Sequence, residues 1–92
     1  MIVRDSVDIA PGRFARAIAT CPSGKTMVAG GFQFSFFDRA HTQIVGSEPL
    51  YFQGSAQPNA WAAEAYNDDV STGAIRRVYA YALCASPQQL TP

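Results

Sequence analysis

Polar and apolar side chains alternate along much of this chain, which is the pattern of strands with one buried face. The longest such segments are Phe14 to Cys21, Thr26 to Phe37 and Ile75 to Ala85. Clusters of Pro, Gly, Asn and Ser separate the segments and supply turns. The predicted strands are 6–9, 14–21, 26–37, one that begins at 43–46, 61–66 and 75–85.

One segment could form either a helix or a strand. Ala60 to Tyr66 reads A-W-A-A-E-A-Y, and Ala and Glu favour helices. The segment is short and has turn residues on both sides, which favours a strand. Strands joined by turns without helices predict an all-β fold, a small antiparallel β-sandwich of jelly-roll-like form.

The two cysteines each end the same short pattern, Ala-x-Ala-x-Cys. Side chains alternate along a strand, so Ala17, Ala19 and Cys21 share one face, as do Ala80, Ala82 and Cys84. Small alanines let two such faces approach, and a disulfide needs Cα atoms roughly 4.4–6.8 Å apart. We therefore predict a Cys21–Cys84 disulfide that closes the sandwich.

Bulky side chains occupy the other alternating positions. Phe32, Phe34 and Phe36 form one stripe, and Tyr79, Tyr81 and Leu83 form another. Such stripes are typical of core or inter-strand packing, with a subunit interface as the alternative. The paired glycines Gly30-Gly31 inside a strand indicate a bulge, or a place where another backbone comes close.

Length and composition fit one domain, which we place at 1–86 with a polar tail at 87–92. Hydrophobic residues make up 48% of the 92 residues, and charged residues only 15%. Seven basic residues balance seven acidic ones, which disfavours nucleic-acid binding driven by net charge. No apolar run is long enough to insert in a membrane. The start, Met1 to Asp5, carries charges and lacks the apolar core of a signal peptide.

Candidates for chemistry are few. Ser35, Asp38 and His41 are close in sequence, but a catalytic triad needs its side chains to converge in space, which sequence neighbours at a strand end seldom do. Two cysteines and one histidine make a poor metal site, and Asp68-Asp69 favours a turn over a calcium site because the calcium-loop spacing is missing. We therefore expect no enzyme activity, no metal and no cofactor.

Several motifs together carry a family resemblance. They are A-I-A-T-C-P-S-G-K at 17–25, Gly30-Gly31, S-E-P at 47–49, Trp61 followed by A-Y-N at 65–67, and Y-A-L-C-A at 81–85. From Pro11 to Ala85 the chain resembles an uncharacterised family of small extracellular β-domains in bacterial and phage proteins, often at the end of collagen-like or fibre-forming chains. The resemblance implies paired Cys21 and Cys84 and implies no active site.

A second local match lies at Glu48 to Ser55, E-P-L-Y-F-Q-G-S. It resembles the recognition site of the tobacco etch virus protease, which is often engineered into proteins as a removable linker. The mid-chain position favours a native loop over an inserted tag.

Loops on a rigid β-scaffold are where binding is usually found. We therefore predict that the loop Ser47 to Ala60, with the turn Asp38 to Thr42, carries the contact surface and that the sheets do not. The predicted surface residues are Tyr51, Phe52, Gln53, Trp61 and His41.

These features predict a non-catalytic structural or assembly module, namely a decoration or tail-fibre domain on a virion surface. Its expected partners are copies of itself or other virion or fibre subunits, with a homo-oligomer as the expected state. A disulfide in a chain without a visible signal peptide fits a protein that oxidises in a virion after release from the cell. The alternative is a secreted, extracellular carbohydrate-binding or adhesin head, with a surface glycan as its ligand.

Overall fold

A computed structural model describes residues 1–34, 40–55 and 57–86. The described strands are β1 (Ile2–Ile9), β2 (Phe14–Thr20), β3 (Thr26–Phe34), β4 (Thr42–Leu50), β5 (Ala60–Asn67) and β6 (Arg76–Ala85). A single 3₁₀ turn, Phe52–Gly54, is the one helical element in this part of the chain. The predicted all-β class is confirmed, and the helix considered for 60–66 is wrong because that segment is β5.

Two three-stranded antiparallel sheets pack face to face, with strand orders β1-β6-β3 and β2-β5-β4. Successive strands run in opposite directions, so the connections lie at two ends of the sandwich. We call the end with residues 21–25 and 51–59 the loop end, and the end with residues 10–13 and 68–75 the turn end. The predicted sandwich closed by one disulfide is confirmed.

Alanine dominates the space between the sheets. Six of the eleven residues in the buried cluster of the described chain are alanines, and Ile9, Met27 and Val78 are its larger aliphatic members. The predicted disulfide joins Cys21, just after β2, to Cys84 in β6, with Cα atoms 5.8 Å apart. It therefore connects the two sheets at the loop end, where the twin alanine faces meet as the sequence pattern predicted.

Some strand boundaries differ from the prediction. β1 begins at Ile2 because the backbone of Met1 exchanges hydrogen bonds with Cys84, at 2.8 and 3.1 Å. β4 continues to Leu50, so the long loop begins after Leu50 and not at Ser47. Pro49 is tolerated there because β4 is an edge strand. Residues 35–37, predicted to continue β3, lie outside the described residues.

The paired glycines do not form the bulge. The irregularity in β3 falls between Met27 and Ala29, where Val28 is the extra residue. Gly30 and Gly31 instead mark close approaches by side chains: Trp61 on one face of β3 and Tyr81 on the other. The close neighbours are aromatic rings, whereas the sequence suggested a backbone.

Candidate binding surfaces

The loop between β4 and β5 is fixed at its base and exposed at its tip. Its base is closed by Asn59, whose N–H donates to Leu50 and whose carbonyl accepts from Cys21. At the tip Tyr51 is 61% exposed, and Gln53 adopts a left-handed backbone with φ 56°. The side chain of Phe52 lies outside the described part of the structure. Tyr51 and Gln53 therefore remain candidates for a contact surface.

Trp61 lies in the sandwich and does not extend the surface of that loop. Its ring packs onto Gly30 of the facing sheet, and its Nε1–H donates to Ser47 Oγ at 2.8 Å. The packing contact holds β5 against β3 of the facing sheet, and the hydrogen bond holds β5 against β4. Trp61 thus has a structural role in the arrangement observed.

His41 lies at the other end of β4 from the loop. Nine strand residues separate them, which corresponds to about 30 Å at about 3.3 Å per residue. The two predicted parts of the contact surface, His41 and Tyr51, are therefore not one surface. The imidazole Nδ1 lies 3.3 Å from Asp68 Oδ1, and Gln43 Nε2–H donates to the same carboxylate at 2.9 Å.

A buried polar cluster organises the turn end. The Asn67 side-chain amide donates to the carbonyls of Ile9 and Ala74 at 2.8 and 2.9 Å, which ties β1 to β5. The Asp69 carboxylate accepts hydrogen bonds from Thr72 and from the Arg76 guanidinium. These contacts, Thr72 foremost, lower the pKa of Asp69 far below its ordinary value. The carboxylate of Asp69 is thus committed to contacts within the turn.

The residues considered for catalysis cannot be compared as a set, because Ser35 and Asp38 lie outside the described residues. Among the residues that the structure does describe, no group of three or more His, Cys, Asp or Glu side chains lies close enough to hold a metal ion. The described part of the chain also has no helix with the length and hydrophobicity of a membrane span.

The outer face of the β1-β6-β3 sheet was not predicted as a surface. The register places Arg4, Tyr81 and Gly31 in one row across the three strands, and Ser6, Tyr79 and Gln33 in the next row. Two adjoining depressions lie on this face, and Arg4 and Gln33 line both of them. Of the predicted stripes, Phe32, Tyr81 and Leu83 are 39%, 36% and 40% exposed, and Tyr81 packs against the neighbouring strand at Gly31, so these residues are not buried core.

Large apolar side chains are also exposed near both ends of the sandwich. Those near the loop end are Met1, Ile2, Val28, Tyr51 and Leu83. Those near the turn end are Phe14, Val70 and Ile75. At the turn end Phe14 also contacts Tyr66, with ring centroids 4.8 Å apart. Many large apolar side chains are thus exposed near the ends, although Ile9, Val78 and Trp61 pack in the interior.

Comparison of the chain with models of protein families, with curated proteins and with solved structures found no match.

Proposed function

We propose that this chain is a non-catalytic structural module of a virion surface or fibre and that it works through protein–protein contacts. The observation that carries the proposal is the group of large apolar side chains that are exposed near the two ends of the sandwich. Eight of the eleven exposed large hydrophobic side chains of the described residues lie near the two ends. Apolar side chains that are grouped on a surface mark interaction sites, whereas single exposed ones are common on monomers.

The energetics of burial support the same proposal. A buried alanine removes little apolar surface from water, whereas a fully buried Leu, Ile or Val side chain contributes about 1.5–3 kcal/mol. An isolated copy gains little from its alanine interior, and the side chains at its ends would contribute only when a partner covers them. Association would therefore add stability that the single domain lacks.

The two ends carry different exposed side chains, which favours contact between unlike surfaces. If the loop end of one copy meets the turn end of the next, the contact repeats along an axis and builds a linear assembly. Tyr51 and Leu83 would then supply one side of the contact, and Val70 and Ile75 the other. This geometry is the one that a fibre needs.

Two double variants test the proposal by sedimentation velocity over a wide range of protein concentration. Tyr51→Ser with Leu83→Ser removes apolar groups from the loop end, and Val70→Ser with Ile75→Ser removes them from the turn end. We expect each variant alone to stay monomeric where the parent protein associates. An equimolar mixture should form dimers and nothing larger, because each partner keeps one intact end.

Val45→Ser is the matched control, because Val45 is 50% exposed but lies in the middle of β4, away from both ends. It should associate like the parent protein. Association that survives both double variants would contradict end-to-end contact. A parent protein that stays monomeric at every concentration would contradict self-assembly itself.

A further inference from the structure

Tyr81 lies along the outer face of the β1-β6-β3 sheet instead of pointing away from it. A Cβ atom at Gly31, on the neighbouring strand, would be 2.5 Å from Tyr81 Oη and 2.7 Å from Cζ. The phenol end of the ring therefore occupies the space that any other residue at position 31 would fill. The side chain is still 36% exposed, so part of the ring forms a platform on the sheet.

The platform belongs to a groove that runs along β6. One depression, of about 270 Å³, is lined by Ile2, Arg4, Phe32, Gln33 and Tyr81. The second, of about 250 Å³, is lined by Arg4, Gln33, Tyr79 and Phe34. Each is slightly below the lower end of small-ligand sites, about 300 Å³, which suits one small ring in each depression. Tyr79 and Tyr81 lie about 7 Å apart along the strand, as alternate residues do.

The lining has a defined chemistry. Arg4 offers a planar set of donors that matches a carboxylate, and Gln33 offers both a donor and an acceptor for hydroxyl groups. The tyrosines add apolar ring surface with a polar tip. Arg4 is the one charged residue among the described residues that line the groove. The nearby Arg77 is already paired with Asp8, whose Oδ1 lies 2.8 Å from Arg77 Nε.

We propose that this groove binds an acidic saccharide, with a uronic-acid carboxylate on Arg4, ring hydroxyls on Gln33 and sugar rings packed on Tyr79 and Tyr81. The proposed contacts on Arg4, Gln33, Tyr79 and Tyr81 lie between the two ends proposed for assembly, although Ile2 borders both the groove and the loop end, and the site does not depend on association. A nucleic acid is a poorer fit, because the chain has no net charge and the groove has one described cation.

The test is a titration followed by NMR chemical shifts, at a protein concentration where the chain is monomeric. The probes are trigalacturonic acid, the neutral galactotriose of the same length, and a triglutamate peptide. We expect the acidic sugar to shift the amides of Arg4, Gln33 and Tyr81, and the neutral sugar to bind more weakly. Arg4→Gln should lower the affinity for the acidic sugar by at least about tenfold, the loss expected for one charged hydrogen bond.

Arg16→Gln is the control, because Arg16 lies on the outer face of the other sheet and should leave the affinity unchanged. Gly31→Ala is the second test variant: it keeps every charge but displaces Tyr81, and it should also weaken binding. Equal binding of triglutamate would overturn the saccharide class, since only charge would then matter. No shifts with trigalacturonic acid, or equal losses in Arg4→Gln and Arg16→Gln, would overturn the site. None of these outcomes bears on assembly, which sedimentation measures separately.

Discussion

The ring of Trp61 lies directly over Gly30, so close that a Cβ atom at Gly30 would sit 2.3 Å from Trp61 Cδ2. On the opposite face of the same strand, Tyr81 lies over Gly31. The paired glycines thus let one strand be covered by an aromatic side chain on each side. The inner contact joins the two sheets, and the outer contact forms part of a surface.

These two contacts predict different costs for the same substitution. Gly30→Ala places a methyl group inside the Trp61 ring system, and the indole is held in place because its N–H donates to Ser47. Overpacking of this kind costs about 1–3 kcal/mol. Gly31→Ala meets the far end of Tyr81, which can swing into solvent, so we expect a loss below about 1 kcal/mol.

Urea unfolding of the two alanine variants beside the parent protein measures both costs. Gly30→Ala should have the lower midpoint, and its Trp61 fluorescence in the native state should change. Equal midpoints would show that the Trp61 ring relocates without cost, and the tight contact would then have no structural importance.

The sequence pattern was sufficient to predict the strands and the disulfide. It was not sufficient to predict which residues are exposed on the surfaces. Alternation shows which residues share a face, and twin Ala-x-Ala-x-Cys patterns place Cys21 and Cys84 on such faces. Alternation does not show which face is inside. Size suggested that Tyr81 and Leu83 fill the core, yet alanines fill it, since the sheets approach each other closely.

The pairing register between strands that are distant in sequence was also needed to predict the groove, and the sequence pattern does not show it. The groove combines Arg4 from β1, Gln33 from β3 and Tyr81 from β6, and their neighbourhood depends on pairings between distant parts of the chain. His41 and the loop at Tyr51 are close in sequence, but the length of β4 separates them. The paired glycines were the one sequence signal of the close aromatic contacts.

The disulfide should provide much of the stability. Cys21 and Cys84 are 63 residues apart, and closing a loop of that length contributes about 4 kcal/mol in the chain-entropy model. Domains of this size have total stabilities of about 5–15 kcal/mol, and this one has an alanine-rich interior. The double variant Cys21→Ala with Cys84→Ala should therefore melt at a much lower temperature, or fail to fold.

Calorimetry with and without a reducing agent compares the melting temperatures of the parent protein with its disulfide formed and with it reduced. The reductant should lower the melting temperature of the parent protein and leave any folded double-alanine variant unchanged. An unchanged parent melting temperature, with two free thiols detected by mass analysis, would contradict a stabilising disulfide.

Stability should fall in acid because of Asp69. Hydrogen bonds from Thr72 and Arg76 lower the pKa of this carboxyl in the folded protein. The unfolded chain, with an ordinary pKa of about 3.9, then binds a proton more readily than the folded chain does. The contribution is present above that pKa and is lost as the pH falls below it.

Unfolding free energies measured by urea between about pH 7 and pH 3 test the contribution of Asp69. Asp69→Asn should be less stable than the parent protein at neutral pH and should lose less stability in acid. Asp8→Asn is the control, because the Asp8–Arg77 pair is exposed and should contribute little. Parallel pH curves for the parent protein and Asp69→Asn would show that another group governs the acid response.

The segment from Glu48 to Ser55 offers a chemical test of the loop end. Tobacco etch virus protease would cut between Gln53 and Gly54, but Glu48 to Leu50 are paired with β5 in the folded protein. A protease that binds an extended segment must wait until the end of β4 opens. We expect slow cleavage of the native protein and fast cleavage of the reduced, urea-treated chain.

A second prediction concerns the two fragments that cleavage produces. Cys21 lies before the cut and Cys84 lies after it, so the fragments 1–53 and 54–92 should stay joined until a reductant is added. A gel without reductant should show one band at the parent mass, and a gel with reductant should show two smaller bands. Gln53→Ala is the control and should resist cleavage in both states. Two bands without reductant would contradict the disulfide, whereas equal rates for native and unfolded chain would show that Glu48 to Leu50 are not held in the sheet.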